Sequence, residues 1–170
     1  RRPALIARCQ GAPDAAAALA FARETGLPVS VRGGGHNIAG RAVIDDGVMI
    51  DLSTMQDVDV DPSARTARAG GGVVWSGFND ATAAHGLATT GGLVSTTGIA
   101  GLTLGGGLGW LMPKYGLAAD NLVSVELVSA SGEVLRVSEE SDPDLFWALR
   151  GGGGNFGVAT RFKYRLYPVE

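Results

Sequence analysis

The sequence predicts a mixed α+β fold, and three observations support this prediction. The chain has 170 residues, which is long enough for one domain with a buried core. Its composition, with 45% hydrophobic and 18% charged residues, is that of a globular protein. Antiparallel hairpins occur together with one crossover unit, and neither an internal repeat nor a linker separates them.

The first third of the chain predicts a β-α-β unit and one further strand. Asp14 can cap the helix, while Gly26 and Pro28 mark its end. The second strand leads directly into a run of glycines. The predicted elements are a strand at Leu5–Cys9, a helix at Ala15–Thr25, and strands at Val29–Arg32 and Val48–Leu52.

The rest of the chain predicts two hairpins, two helices and a final strand. The turn Asp61–Ala64 joins the first hairpin, and Ser131-Gly132 joins the second. Asp142-Pro143-Asp144 begins the second helix. The hairpins are Val58–Val60 with Thr66–Ala69 and Leu122–Ala130 with Glu133–Val137; the helices are Val73–His85 and Leu145–Arg150; the final strand is Val158–Leu166.

Charge, hydropathy and cysteine content exclude several classes of protein. A formal net charge of −3 argues against nucleic-acid binding by phosphate neutralisation. No apolar run approaches the ~20 residues that a membrane-spanning helix needs. The single cysteine, Cys9, allows neither an intramolecular disulfide nor a CxxC site.

Glycine is the unusual feature of the composition. It occurs 27 times in 170 residues, more than twice the typical ~7%. Glycine lets the backbone adopt positive φ and approach other groups closely, so several such loops suggest main-chain amides converging on one large ligand. Ordinary tight turns are the alternative, although these rarely need three glycines. The runs are Gly33–Gly35, Gly70–Gly72, Gly105–Gly107 and Gly151–Gly154.

Several familiar motifs are incomplete here. Gly152-x-Gly154-x-x-Gly157 matches the dinucleotide fingerprint, but a helix precedes it and a strand follows, the reverse of a Rossmann site. The Asp57-x-Asp59-x-Asp61 series lacks the later glycine and glutamate of a calcium loop. No P-loop, Gly-x-Ser-x-Gly elbow or zinc-ligand spacing occurs, and His85 is interpreted as a helix-end residue.

His36 is the strongest candidate for a functional side chain. It follows Arg32 and Gly33–Gly35 directly after a strand, and packing explains an imidazole at this position poorly. Successive glycines can form a nest of amide donors for a pyrophosphate, to which Arg32 adds positive charge. The alternative is a solvated loop histidine.

Four ordered segments resemble a known family: Val31–Asn37 (VRGGGHN), Gly98–Gly109 (GIAGLTLGGGLG), Tyr115–Leu122 (YGLAADNL) and Asp144–Val158 (DLFWALRGGGGNFGV). Together they resemble the FAD-binding domain of the berberine bridge enzyme-like oxidoreductases, within the vanillyl-alcohol oxidase (PCMH-type) flavoprotein superfamily. The resemblance covers essentially all 170 residues.

This resemblance implies two α+β subdomains, about 1–53 and 54–170, with FAD extended between them. It implies that the Arg32–Asn37 loop binds the pyrophosphate and that His36 carries the flavin through its 8α carbon. Thr97–Gly101 and Gly105–Gly109 would line the isoalloxazine and ribityl region, and Asn121 and Gly157-Val158 the ribityl or adenine side. The implied cofactor-binding residues are Arg32, Gly33, Gly34, Gly35, His36, Asn37, Thr97, Gly98, Ile99, Gly101, Gly105, Gly106, Gly107, Gly109, Asn121, Gly157 and Val158.

The sequence departs from the family pattern in two ways. Bicovalent relatives bond flavin C6 to a cysteine, but that position is Val94 here, so at most one covalent link is expected. The substrate domain of the family has no counterpart in this chain, so the catalytic base remains unknown. Tyr115 is a candidate near the flavin, although an ordinary packed tyrosine is the simpler interpretation.

The function predicted from the resemblance is an FAD-dependent oxidoreductase, an oxidase or dehydrogenase of alcohols, sugars or related small molecules. Hydride would pass from a substrate carbon to flavin N5 and then to oxygen or another acceptor. The alternatives are a non-catalytic FAD-binding or interaction domain and a phosphate-binding module for another nucleotide. Neither a nucleic-acid nor a membrane partner is expected, and the oligomeric state is unknown. The excess of arginine over lysine suggests a bacterial source, and the lack of a visible signal peptide favours the cytoplasm.

Overall fold

The computed structural model describes residues 1–169 and confirms the mixed α+β class. Two separate sheets carry the fold. The first is a three-stranded parallel sheet in which the third strand lies between the other two. Its elements are β1 (Leu5–Arg8), α1 (Ala12–Thr25), β2 (Val29–Arg32) and β3 (Val48–Asp51).

Helix α1 begins three residues earlier than predicted, and Asp14 does not cap it. The N-cap residue is Gly11, and Pro13 lies in the first turn, where the missing amide hydrogen costs nothing. The Asp14 carboxylate instead accepts a hydrogen bond from the Gln10 N–H at 2.8 Å. The predicted end is confirmed, because Gly26 adopts φ +67° and caps the helix in the left-handed region.

The second sheet has five antiparallel strands in the order β4-β5-β9-β7-β8. Both predicted hairpins and the final strand are confirmed within it. The side chain of Asp142 accepts from the Leu145 N–H, so the predicted start of the last helix is also confirmed. The strands of this sheet are β4 (Val58–Asp61), β5 (Thr66–Gly70), β7 (Leu122–Val128), β8 (Val134–Ser138) and β9 (Val158–Arg165). The helices are α2 (Trp75–Ala83) and α5 (Pro143–Leu149). Strands β6 (Leu87–Ala88) and β10 (Tyr167–Pro168) pair separately as a two-stranded sheet.

The glycine-rich segment between β6 and β7 contains two helices that the sequence did not predict, α3 (Ile99–Leu104) and α4 (Met112–Tyr115). Ile99 and Leu104 are buried in the larger core, and this tertiary burial outweighs the low helix propensity of glycine. A short 3-10 turn, Ala119–Asn121, leads into β7.

The larger core lies against the five-stranded sheet and centres on Trp75, Phe78 and Tyr164. Their ring centroids lie between 5.2 and 6.0 Å apart, in edge-on or tilted arrangements that favour aromatic contacts. The Tyr164 hydroxyl hydrogen-bonds to the Thr103 hydroxyl at 2.8 Å and so ties α3 to β9. A smaller core packs α1 against the parallel sheet. Within residues 1–169, no helix is both long and apolar enough to span a bilayer.

Candidate functional site

Two glycine loops interlock at the carboxyl end of the parallel sheet. A Cβ at Gly34 would lie 2.6 Å from the Cα of Gly98, and a Cβ at Gly98 would lie 2.9 Å from the Cα of Gly34. A Cβ at Gly33 would lie 2.9 Å from the Gly71 carbonyl oxygen. Because real Cβ atoms do not approach so closely, these glycines allow the two loops to contact through their main chains. The structure therefore brings together the loops at 32–37 and 96–101.

The third glycine loop reaches the same region through α3. The Gly153 N–H donates to the Leu104 carbonyl at 2.8 Å, which joins the 151–157 loop to the end of this helix. Helix α5 precedes this loop and β9 follows it, so the rejection of a Rossmann fingerprint is confirmed. Three glycine loops that are distant in sequence thus border α3.

His36 lies at the exposed lip of the first loop. Its Nε2 atom lies 3.0 Å from the Thr96 hydroxyl, a contact between residues 60 positions apart. Among residues 1–169, no acceptor receives the main-chain N–H of Gly34, Gly35 or His36. Gly34 N lies against Gly98, so the Gly35 and His36 amides are the donors that the loop leaves for an anion next to the imidazole.

Arg32 is held beneath this loop by Asp51. The two residues face each other in the register of β2 and β3, and Arg32 Nη1 lies 3.1 Å from Asp51 Oδ1. Asp51 is buried and also accepts from the Ser53 N–H. The guanidinium lies against Gly35, whose φ of +76° creates the turn into His36. The burial of Asp51 thus requires a cation at this point, and Arg32 supplies it.

Other glycines of the site have open space above them. A Cβ at Gly101 or Gly154 would meet no atom within 4 Å, and neither residue has positive φ. Neither protein packing nor backbone conformation therefore requires glycine at these two positions. A ligand that approaches the main chain closely would require it, so both positions fit a cofactor surface.

The predicted glycine turn at 105–109 is partly structural. Gly106 and Gly107 have positive φ, and their carbonyls accept from the N–H groups of Ala119 and Ala118. Gly109 packs against Gly91, where a Cβ would overlap the main chain. Gly105 is exposed at the end of α3 and is the member of this turn most open to a ligand.

Several predicted cofactor residues have interior side chains. Asn121 is 1% exposed; its Nδ2 donates to the carbonyls of Tyr115 and Leu117, while its Oδ1 is buried without a partner. Val158 is buried and pairs with Val128 in the sheet, and Ile99 is buried in the core. The assignment of these residues to the cofactor stays a prediction. Because their side chains are buried, any contact with the cofactor would be made by their main-chain atoms.

The remaining predicted residues lie on the site's edge. Asn37 is exposed, and its side chain accepts from the Arg41 N–H, which closes the turn after His36. The Thr97 carbonyl accepts from the Trp75 N–H and so fixes the second loop on α2. Gly157 has φ +145° and enters β9 directly beneath Val128.

Two other residues considered in the sequence, Tyr115 and Cys9, lie in environments typical of residues that stabilise the fold. Tyr115 stacks on Tyr167 with ring centroids 3.9 Å apart, which fits the interpretation as a packed tyrosine. Cys9 is 1% exposed, and burial, assisted by Asp14 and Asp51, raises the pKa of its thiol to about 11. Such a thiol is a weak nucleophile and behaves as a small buried hydrophobe.

Two residues of the site, Thr96 and Asp51, were not predicted from the sequence. Nothing local distinguishes Thr96 from its neighbours in the Ser95-Thr96-Thr97 run, because its partner lies 60 positions away. Asp51 could have been found, since a carboxylate at the end of one apolar strand and an arginine at the end of another meet when the strands are parallel. Within residues 1–169, no cluster of three metal-ligating side chains accompanies them.

Comparison with known proteins gives the site a family context. Residues 3–138 match the family model described as an FAD binding domain. The (R)-6-hydroxynicotine oxidase of Paenarthrobacter nicotinovorans is 46% identical over 99% of this chain. The chain spans only 37% of that relative's length.

Solved structures agree with the sequence comparison. The crystal structure of 6-hydroxy-D-nicotine oxidase from Arthrobacter nicotinovorans matches with a TM-score of 0.97 and 45% identity, over 99% of this chain and 37% of the other. A berberine bridge enzyme in complex with (S)-reticuline matches with a TM-score of 0.91 and 32% identity, over 97% and 34%.

Proposed function

The chain belongs to the FAD-binding domain family of the PCMH-type flavoproteins, and from this premise we propose that it is the flavin-binding part of an FAD-dependent oxidoreductase. The observation that carries the proposal is the meeting of three glycine loops around α3, with His36 at their lip. FAD would extend between two subdomains of about 1–53 and 54–170.

The first loop would hold the pyrophosphate. The N–H groups of Gly35 and His36, which have no main-chain acceptor, would donate to phosphate oxygens. Arg32 adds a guanidinium nearby, but Asp51 already neutralises part of its charge. The main-chain amides therefore supply most of the attraction, and Arg32 chiefly shapes the turn that presents them.

The glycine surface of α3 would accept the ribityl chain and the ring. Gly101 and Gly105 leave this side of the helix free of side chains. When bound, FAD supplies two-electron redox chemistry by accepting hydride at N5. The described residues would position the cofactor, and Leu108 and Trp110, just after the 105–107 glycines in sequence, are exposed apolar side chains.

His36 would carry the flavin through one covalent bond to its 8α carbon. An imidazole nitrogen is a suitable nucleophile, and the bond would hold the cofactor and raise its reduction potential. A second bond is not expected, because Val94 occupies the position of the cysteine in bicovalent relatives and the Cys9 thiol is buried.

The whole protein would oxidise an alcohol, a sugar or a related small molecule, with oxygen or another electron acceptor. This part of the proposal rests on the relatives, since one similar structure is a grass pollen allergen with glucose dehydrogenase activity and another relative is an oxidase of 6-hydroxynicotine. The competing proposal is a non-catalytic FAD-binding domain. Reduction of bound flavin by candidate alcohols and sugars in the intact protein separates the two.

The binding test is an ultraviolet–visible spectrum of the purified protein, followed by acid precipitation. The wild-type precipitate should stay yellow, whereas His36→Ala should bind FAD but release it into the supernatant. His85→Ala is the matched control, because His85 is the other histidine of the chain and lies just beyond the end of α2. A protein that neither contains flavin nor binds added FAD, but binds ATP or NAD, would refute the proposal.

A further inference from the structure

We propose that Thr96 is a positioning residue that binds the Nε2 nitrogen of His36, so that Nδ1 forms the bond to the flavin. This inference rests on the proposed function, in which His36 carries the cofactor. Thr96 is not among the residues that the family resemblance implied for cofactor binding.

The contact itself is specific to one ring nitrogen. The Thr96 Oγ1 atom lies 3.0 Å from His36 Nε2, a distance typical of a hydrogen bond. Among residues 1–169, no hydrogen bond reaches Nδ1. One nitrogen is thus occupied by protein, while the other is free to meet a ligand.

The main chain around Thr96 is fixed on both sides. The Ser95 carbonyl accepts from the Ser76 N–H at 2.9 Å, and the Thr97 carbonyl accepts from the Trp75 N–H at 3.0 Å. Both donors belong to the first turn of α2, which is anchored in the core by Trp75. Thr96 is exposed, but the main chain on both sides of it is held in place, so its hydroxyl starts from a fixed point.

The loop that carries His36 is fixed against the same segment. A Cβ at Gly34 would lie 3.3 Å from the Thr96 carbonyl oxygen and 2.6 Å from the Gly98 Cα. Two rigid segments thus face each other, and their separation sets the distance between the hydroxyl and the imidazole. This arrangement reduces the entropy lost when the hydrogen bond forms.

Only one tautomer is competent for the covalent bond. If Nδ1 carries the proton, the only lone pair is on Nε2, where the Thr96 hydroxyl donates to it and blocks its approach to carbon. If Nε2 carries the proton, Thr96 accepts it and the Nδ1 lone pair is free. Covalent attachment at Nδ1 therefore uses the Nε2–H tautomer, in which Thr96 Oγ1 accepts the hydrogen bond from Nε2.

Formation of the covalent bond between His36 and the flavin is an oxidation, and dioxygen is the oxidant. The C–N bond forms between Nδ1 and the 8α carbon as one 8α C–H bond breaks, and the imidazole then gives up its Nε2 proton. The flavin ring takes up these two protons together with the two electrons that the new bond releases, and is thereby reduced. Dioxygen removes both electrons and both protons as hydrogen peroxide, and this restores the oxidised cofactor.

A hydroxyl suits both stages of this step. While Nδ1 attacks, positive charge develops on the ring, and Thr96 Oγ1 stabilises it by accepting from Nε2–H. After the Nε2 proton has left, the same hydroxyl can donate to the bare nitrogen. A carboxylate could only accept, and a methyl group could do neither.

The test uses apoprotein from a riboflavin-depleted host, mixed with FAD in air. The rate of covalent incorporation is followed by flavin fluorescence in denaturing gels. Thr96→Val should slow it about ten- to a hundredfold, as expected for loss of a hydrogen bond to a charged group. Thr96→Ser should recover most of the rate, and Ser95→Ala should leave it unchanged, because the Ser95 side chain makes no hydrogen bond among residues 1–169.

Two further measurements separate positioning from folding. Nitrogen-15 spectra of the apoprotein, which has only two histidines, should show His36 protonated at Nε2 in the wild type and a tautomer mixture in Thr96→Val. The flavin-labelled peptide should carry the bond at Nδ1. An Nδ1–H tautomer, alkylation at Nε2, or a Thr96→Val rate equal to that of the folded wild type would each overturn the inference.

Failure of the proposed function and failure of the inference about Thr96 give different experimental results. A wild-type protein that binds no FAD would refute the proposed function, while the apoprotein tautomer would still decide the role of Thr96. A wild-type protein that binds FAD only non-covalently would overturn this inference together with the covalent part of the proposal, and would leave FAD binding intact.

Discussion

Replacing Gly101 by alanine should stabilise the apoprotein and weaken FAD binding at the same time. Gly101 is the third residue of α3, it is exposed, and an added Cβ would meet no protein atom within 4 Å. Alanine is a better helix former than glycine by up to about 1 kcal/mol, which corresponds to roughly 2–4 °C in melting temperature for a chain of this size. The methyl group would, however, occupy space that the proposed cofactor needs.

The expected loss of affinity follows from the cost of overpacking. An extra methyl group in a close contact costs about 1–3 kcal/mol, so the dissociation constant for FAD should rise about 5- to 150-fold. The apoprotein should be titrated with FAD by fluorescence quenching, and the melting temperature of each apoprotein should be measured by circular dichroism.

Gly77→Ala is the matched control. Gly77 is the third residue of α2, it is also exposed, and its Cβ would likewise meet nothing within 4 Å. This variant should gain the same helix stability but bind FAD as the wild type does. If Gly101→Ala bound FAD with unchanged affinity, α3 would not face the cofactor, and the proposed site would be wrong.

Three further predictions concern the interlocked loops, the buried cysteine and the core. Gly34→Ala should force the first loop away from Gly98 and cost about 1–3 kcal/mol in unfolding free energy together with FAD binding; unchanged urea unfolding would contradict this. The pKa of the Cys9 thiol rises from 9.0 to about 11, so the native state holds this proton longer than the unfolded state. The contribution of the Cys9 thiol to the free energy of unfolding should therefore be complete below pH 9 and decrease as the pH rises towards 11. Denaturation series at several pH values should show this decrease in the wild type and not in Cys9→Ala. Tyr164→Phe leaves the buried Thr103 hydroxyl without its partner and should cost about 1–3 kcal/mol, whereas a loss below 0.5 kcal/mol in the same assay would show that water replaces the phenol.

The local elements were predictable because their signals are local. Hairpin turns at 61–64 and 131–132, the capping carboxylate of Asp142 and the left-handed Gly26 each act within a few residues, and the structure has all of them. The errors were local signals that tertiary contacts outweighed. Helix α3 forms in a glycine-rich segment because Ile99 and Leu104 are buried, and Gly11 replaces Asp14 as the N-cap residue of α1.

The α+β class, the hairpins, the family and the loop that presents His36 could be read from the amino-acid sequence, because each depends on residue types in fixed order along the chain. The central place of β3 between β1 and β2, the contact of Asp51 with Arg32 and the contact of Thr96 with His36 across 60 residues required the folded chain. The physical reason is that such contacts depend on how separate segments pack, and here on main chains that approach closely where Gly34 and Gly98 carry no side chain. No spacing within one segment encodes that approach.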